Sequence, residues 1–313
     1  MIKKVLITDH AHILLQQGLE KAGFICDYQP EISYAKTLEI IPEYEGLIIN
    51  SKILVDKNFI DKAPKLQFVA RLGSGLEIID LEYAKERQLQ VFSSPEGNCD
   101  AVAEHALGFL LALAINLRQA DAEMRQQVWN RETHRGWELG QKTVAIIGCG
   151  HTGGAFARKL KGLDMRILGY DKYKKDYNRS FPHLIETNME QIWAEADIVS
   201  LHLPLTSETK YSVDNQWFER FSKNIILLNT ARGQLIKTET LIQQLNSGKI
   251  RAAGLDVFEN EKVATYNPTE RQIYDDLCNR PNVLSTPHIA GWTHESKIKL
   301  AQLLLDKILS FFS

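Results

Sequence analysis

The chain has little of several things that would narrow its function at once. Its four cysteines, Cys26, Cys99, Cys149 and Cys278, include no two within four residues of each other. That spacing excludes the CxxC pairs of a zinc site, and it suggests no disulfide framework. Reduced thiols in a cytoplasmic protein are the expectation, with no metal. Long apolar runs are also lacking. The nearest, Ala106 to Leu117, is about 12 residues, against roughly 20 for a bilayer-spanning helix. The stretch from Met1 to Asp9 turns acidic too soon for a secretory signal. There is no basic excess, since 37 Lys and Arg face 39 Asp and Glu for a net charge of −2. Neither nucleic acid nor a membrane is therefore an expected partner. Internal repeats and low-complexity tracts are absent as well.

What is present is the composition of a globular protein, 44% hydrophobic and 24% charged over 313 residues, enough for about two domains. Short apolar runs at Val5–Thr8, Gly46–Ile49, Phe68–Ala70 and Val91–Phe92 read as buried strands. Amphipathic stretches such as Ala11–Ala22, Lys57–Ala63 and Ile79–Arg87 lie between them. The rhythm restarts at Val144–Ile147 and continues through Arg166–Tyr170, Ile198–Leu201, Ile225–Asn229 and Ala252–Val257. Helical patterns at Gly154–Leu163, Met189–Ala194 and Thr238–Ser247 separate these runs. Strand–helix alternation predicts parallel sheets covered on both faces, and the restart predicts two of them. The expected class is α/β with two doubly wound domains. Between them, Asp100 to Met124 is apolar nearly all round. It predicts one long helix buried on several sides, wedged between the domains or against a second subunit.

The sharpest local signal is Thr143-Val144-Ala145-Ile146-Ile147-Gly148-Cys149-Gly150-His151-Thr152-Gly153. An apolar strand precedes this GxGxxG, a helical pattern follows, and a second strand ends in Asp171, 18 residues past the last glycine. That is the arrangement of a dinucleotide site. Gly148 permits the tight turn, Gly150 lets amides approach a pyrophosphate, and Gly153 allows helix and strand to pack closely. The helix N-terminus offers unpaired N–H groups to the phosphates. Asp171 suits the ribose hydroxyls of NAD and repels a 2′-phosphate, although Lys172, Lys174 and Lys175 follow it directly.

Hydride exchange with a hydroxyl carbon needs a proton carrier and a cation for the substrate's charged end. Arg232, in Asn229-Thr230-Ala231-Arg232-Gly233, sits at a strand end and can grip a carboxylate with two donors. His288, in Ser285-Thr286-Pro287-His288-Ile289-Ala290-Gly291, also follows an apolar run, and imidazole is the natural acid/base near neutral pH. A carboxylate beside it would hold one tautomer. Glu259 and Glu261 are the candidates in Gly254-Leu255-Asp256-Val257-Phe258-Glu259-Asn260-Glu261.

Taken in order, these segments resemble the D-isomer-specific 2-hydroxyacid dehydrogenase family over nearly the whole chain. The further matching pieces are Arg71-Leu72-Gly73-Ser74-Gly75-Leu76-Glu77-Ile78-Ile79-Asp80, Asn98 through Val102-Ala103-Glu104-His105, and Ser200-Leu201-His202-Leu203-Pro204-Leu205-Thr206. The resemblance implies a Rossmann NAD-binding domain over residues 99–291. It also implies a flavodoxin-like substrate-binding domain from residues 1–98 and 292–313, with homodimers formed through the NAD domain. By the same resemblance, Arg232 anchors the substrate carboxylate and oxo group, His288 exchanges the proton, and Glu261 pairs with His288. Backbone amides of Ser74 and Gly75 hold the carboxylate. Val102 and Thr230 lie by the nicotinamide, and Asp256 accepts from its carboxamide. His151 and Thr152 face the pyrophosphate, and His202 and Pro204 line the adenosine. Two departures stand out: Lys262 replaces the proline that usually follows the glutamate, and the interval from Glu261 to His288 is longer than common.

Within the family the nearest likeness is to members that oxidise 3-phosphoglycerate to 3-phosphohydroxypyruvate. The chain is expected to lack the regulatory C-terminal domain of their longer forms. In Ile49-Asn50-Ser51-Lys52 only Lys52 is basic, as a candidate for the phosphate. Glyoxylate, hydroxypyruvate or general D-2-hydroxy acid reduction is the alternative substrate reading. An NAD(H)-binding dimeric scaffold of the co-repressor kind is the alternative from another class.

Overall fold

The computed structural model describes residues 3–312. Met1, Ile2 and Ser313, at the ends of the expected substrate domain, lie outside the described residues. The chain divides into two compact units, residues 1–99 with 292–313, and residues 100–291.

In the first unit, strands β1 (Lys4–Ile7), β2 (Ile25–Tyr28), β3 (Gly46–Ile49), β4 (Phe68–Arg71) and β5 (Gln90–Ser93) form one parallel sheet in the order β2-β1-β3-β4-β5. This is the flavodoxin-like order. Helices α1 (Ile13–Lys21), α2 (Tyr34–Ile40), α3 (Lys57–Asp61) and α4 (Leu81–Glu86) alternate with the strands. Successive strand residues face opposite layers: Val5 and Ile7 pack with Leu15, Leu19 and Phe68, whereas Leu6 packs with Leu47, Ile49 and Val69. Burial on both faces makes the inner strands continuously apolar. At the edge, β2 is only partly covered and carries Asp27; its mixed composition hides it from a search for apolar runs. The last helix, α12 (His294–Phe312), returns to this sheet. A side chain at Gly18 would fall 2.2 Å from Leu305, so glycine lets α1 and α12 approach closely.

The second unit is a parallel sheet of β6 (Thr143–Ile147), β7 (Arg166–Tyr170), β8 (Ile185–Glu186), β9 (Ile198–Leu201), β10 (Ile225–Asn229), β11 (Ile250–Leu255) and β12 (Val283–Ser285). Its order is β12-β11-β10-β9-β6-β7-β8, the Rossmann order extended by one strand. Helices α7 (His151–Leu160), α8 (Met189–Glu195), α9 (Asn215–Glu219), α10 (Thr238–Asn246) and α11 (Pro268–Asn279) connect these strands. The strand order reverses between β6 and β9, the switch point outside which open α/β sheets bind ligands.

The long helix expected over Asp100 to Met124 is two helices, α5 (Cys99–Ala114) and α6 (Leu117–Arg125), bent by 65°. Asn116 takes a left-handed conformation at φ 52. The Ala114 carbonyl, which a continuing helix would offer to residue 118, instead accepts the N–H of Trp137 at 3.0 Å. The returning chain fits because Gly136 has no side chain; one there would fall 2.5 Å from that carbonyl. Among the described residues no single helix is long and apolar enough to cross a membrane.

Candidate active site

The glycine-rich turn joins β6 to α7 at the switch point. Gly148 has φ +96, a region that side chains disfavour, and a side chain there would meet the His202 carbonyl at 2.5 Å. At Gly153 a side chain would fall 2.1 Å from the Gly148 carbonyl, so helix and turn are in backbone contact. Gly150 instead looks outward, with only the Lys174 ammonium within 4 Å of a side chain built there. It precedes the first turn of α7, which has no side-chain cap. The turn is thus closed toward the protein and open toward a ligand, with helix N–H groups at its mouth. His151 and Thr152 occupy that first turn, exposed and half-buried respectively.

Asp171 follows β7 and knits the rim. One carboxylate oxygen accepts from the Cys149 N–H at 2.9 Å, and the other from Tyr173 and Lys174 N–H at 3.0 and 2.9 Å. Lys172 and Tyr173 both bind the Glu208 carboxylate. Across the switch point His202 bonds Ser200 through Nε2 at 2.8 Å, and burial pushes its pKa down to about 3, so the ring is neutral. Its Nδ1 and the Thr230 hydroxyl, beyond β9 and β10 respectively, are buried without a hydrogen-bond partner among the described residues. A dinucleotide fits this edge: an outward-facing glycine cradle, an acid on the rim, and two orphaned polar atoms where donors and acceptors are wanted. Pro204 lies exposed beyond His202, and Val102 is buried on α5.

Three charged groups gather beyond β10, β11 and β12. Buried Asn229 braces the Arg232 turn: its amide donates to the Arg232 carbonyl at 3.0 Å and its oxygen accepts from the Ala231 N–H at 3.1 Å. Gly233 then passes so close to the next loop that a side chain would overlap the Phe258 carbonyl at 1.9 Å. This contact puts the Arg232 turn against the loop carrying both candidate carboxylates. Glu259 turns away from the imidazole. It accepts from Tyr211 at 2.8 Å and from the N–H and hydroxyl of Thr238 at 2.8 and 2.9 Å, closing the N-terminus of α10. Glu261 meets His288, with Oε2 to Nδ1 at 2.8 Å. Burial pulls Glu261 upward, but the His288 bond and charge, the Phe258 N–H and Arg232 outweigh it and hold the carboxyl below its usual range.

His288 has φ +55, a strained conformation for a residue with a side chain. Asp256 sustains it. Its backbone carbonyl accepts the His288 N–H at 2.8 Å, and its carboxylate accepts Thr286 Oγ1 at 2.6 Å and the N–H groups of Ile289 and Ala290, both at 2.8 Å. The carboxyl expected at the cofactor's carboxamide is therefore completely shielded, and its acceptor positions serve the His288 turn. The residues of Asn229, Thr286 and Tyr266 carry no role in the sequence reading. Asn229 and Thr286 stand in the segments quoted for Arg232 and His288, and Tyr266 lies in the lengthened interval. That interval folds into α11 and an aromatic group, in which Phe258 and Tyr266 pack on Tyr274 at 5.2 and 5.4 Å. Tyr266 also donates to the Asn260 carbonyl at 2.5 Å. The loop that lacks the proline is thus backed by side chains.

In the first unit, Ser74 donates to Asn98 at 3.0 Å, with Gly75 half-buried beside it. Lys52 is exposed and donates to the Pro30 carbonyl. The structure adds a second cation here, because Arg71 donates through Nε to the Asn50 carbonyl at 3.0 Å and its guanidinium lies 3.0 Å from a side chain built on Gly73.

Residues 107–290 match the D-isomer specific 2-hydroxyacid dehydrogenase, NAD binding domain family. The chain is 30% identical to a D-3-phosphoglycerate dehydrogenase of Archaeoglobus fulgidus, over 98% of this chain and 57% of that protein. It thus spans little more than half the length of that relative. It is 33% identical to a hydroxypyruvate reductase of Thermotoga maritima, over 87% and 86% of the two chains. A D-lactate dehydrogenase of Aquifex aeolicus, solved with NAD and lactic acid, shares the fold at a TM-score of 0.87 and 23% identity, covering 99% of this chain and 95% of that one. With an NAD-binding domain matched over most of its length, the chain belongs to the D-isomer-specific 2-hydroxyacid dehydrogenase family.

Proposed function

We propose that the protein is an NAD-dependent oxidoreductase interconverting a D-2-hydroxy acid and its 2-oxo acid. The observation that carries this reading is the 2.8 Å pair of His288 and Glu261 beside the Arg232 turn. A guanidinium holds the substrate carboxylate and oxo group through paired donors. With Nδ1 bound to Glu261, the imidazole exchanges a proton through Nε2 with the substrate hydroxyl, and the carboxylate stabilises the imidazolium that forms. NAD, when bound, takes the hydride from the hydroxyl-bearing carbon. Gly148, Gly150, Gly153, His151, Thr152 and Asp171 hold the dinucleotide, with Thr230, Val102, His202 and Pro204 along its length. Asp256 acts from behind as the anchor of the His288 turn.

The first unit supplies the substrate-binding groups in this reading: the Ser74 and Gly75 amides for the carboxylate, Lys52 and Arg71 for a second anionic group. Two cations near Asn50 favour 3-phosphoglycerate and 3-phosphohydroxypyruvate as the pair. The likeness to a hydroxypyruvate reductase over most of both chains favours hydroxypyruvate or glyoxylate as the second reading. A homodimer is supported by exposed apolar side chains on and after α5 and α6, namely Ile115, Leu117, Met124, Val128 and Trp129. Four free thiols suit a cytoplasmic setting.

NADH oxidation with phosphohydroxypyruvate, hydroxypyruvate, glyoxylate and pyruvate tests the proposal. The expected outcome is the highest kcat/KM for phosphohydroxypyruvate, reduced at least tenfold in Arg71→Ala. Preference for hydroxypyruvate or glyoxylate selects the second reading, and no turnover with any acid selects a scaffold.

A further inference from the structure

The turn that carries His288 is held by a chain of hydrogen bonds reaching a second histidine. His105, on α5, places Nε2 2.9 Å from Thr286 Oγ1, and Thr286 Oγ1 lies 2.6 Å from Asp256 Oδ1. The proton positions follow from donor and acceptor chemistry. A carboxylate only accepts, so the single Thr286 hydroxyl proton points at Asp256. Thr286 Oγ1 then accepts from His105, which must carry its proton on Nε2. Burial holds the His105 pKa below its ordinary value, with Asp256 at 3.9 Å acting the other way, so the ring is a neutral donor. Its orientation is set by an edge-to-face contact with Phe109, at 4.6 Å and 85°.

We propose that His105 is a positioning residue that fixes the left-handed turn presenting His288, acting through Thr286 and the buried carboxylate of Asp256. The buried carboxylate needs donors all round. Two of them, the N–H groups of Ile289 and Ala290, come from the His288 turn itself. The third is the Thr286 hydroxyl, whose acceptor side is occupied by His105. Losing the His105 donor leaves the Thr286 oxygen without its donor and cuts the tie between α5 and the segment that leads into residue 288. The strained φ at residue 288 then has less to sustain it. Val102, one turn earlier on α5, is among the residues proposed to line the cofactor. The chain of bonds thus ties that helix to the proton-exchanging turn. Sequence separation of 181 residues between His105 and Thr286 kept this link out of any local reading.

The inference rests on His288 exchanging the substrate proton, so the test separates geometry from activity. His105→Phe keeps an aromatic ring against Phe109 without the N–H, Thr286→Val removes the hydroxyl, and Thr286→Ser retains it. In histidine-selective NMR of the cofactor-free protein, the hydrogen-bonded Nδ1 proton of His288 should broaden or vanish in His105→Phe and Thr286→Val and persist in Thr286→Ser. In kinetics on the best acid, kcat should fall about tenfold in the first two variants, while KM and NADH affinity stay within twofold and Thr286→Ser keeps most of the rate. The double variant His105→Phe with Thr286→Val should lose no more than either single one, as members of one chain do. An unchanged His288 signal in both disruptive variants overturns the proposal whatever the enzyme turns over. So does a loss of rate that Thr286→Ser fails to restore. If no acid is turned over by the wild type, the functional reading fails while the NMR result still decides the positioning role.

Discussion

Two turns at the carboxyl edge of the seven-stranded sheet reach the left-handed region by different routes. The turn after β6 uses glycine, Gly148 at φ +96. The turn after β12 uses a histidine, His288 at φ +55, at a conformational cost of roughly 1–2 kcal/mol. The first is relaxed and packs backbone on backbone, leaving amides for a ligand. The second is held against its own preference by Asp256 and its donors, because the side chain it presents is the one the chemistry requires. The difference teaches that binding and proton exchange have been placed on separately supported turns. Substitutions at one should leave the other's property intact.

The largest expected effect breaks that separation if it exists only on paper. His288→Ala should lower kcat about 100-fold or more, the usual contribution of general acid/base help, with NADH affinity within threefold of wild type. Fluorescence titration alongside steady-state kinetics measures both, and equal losses in the two would merge the turns into one unit. Arg232→Lys comes next. Its charge remains, but a point charge cannot reproduce a two-pronged grip, so kcat/KM for the oxo acid should fall about tenfold or more. Because Asn229 holds the turn by its backbone, the variant should keep its melting temperature. An unaltered kcat/KM would remove Arg232 from the substrate site.

The same contrast explains what could be read in advance. Inner strands such as β6 and β10 are buried along their whole length, so their apolar runs stand out. Edge strands β2 and β8 are half-covered and carry Asp27 and Glu186, and no run marks them. The glycine turn is legible because its pattern is local: Gly148, Gly150 and Gly153 stand within six residues of sequence, directly after an apolar strand. The His288 turn is visible only as a segment. Asp256 is 30 residues from Thr286, and no spacing announces that its carboxylate faces inward. The choice between Glu259 and Glu261 was likewise open, since it depends on Tyr211 and Thr238 claiming the first of them. The bend between α5 and α6 comes from Trp137, whose N–H takes a carbonyl from a helix that ended twenty-odd residues earlier.

A smaller effect sharpens the account of the first turn. Asp171 accepts three backbone N–H groups, so its removal loosens the rim as well as removing the negative charge that opposes a 2′-phosphate. With the Lys174 ammonium standing over Gly150, Asp171→Ala should narrow the preference for NADH over NADPH about tenfold, measured as the ratio of kcat/KM values. An unchanged ratio would take Asp171 off the ribose, and a wild type that prefers NADPH would do the same.

The smallest effect concerns His202, which packs its carbonyl against Gly148 and keeps a neutral ring with a folded-state pKa of about 3. The unfolded chain has a histidine near 6.5, so on acidification the unfolded state takes up this proton first. The resulting contribution to stability is fully present above about pH 6.5 and is lost as the pH falls toward 3. Relative to His202→Gln, which has no proton to gain, the cofactor-free wild type should lose no more than about 1 kcal/mol at pH 6, growing as the pH drops further. Denaturant unfolding of both proteins at pH 7.5, 6 and 5 reads the difference directly. Parallel curves would show that the ring beside the glycine turn is wet and chargeable, and the first turn would then owe its neutrality to something other than burial.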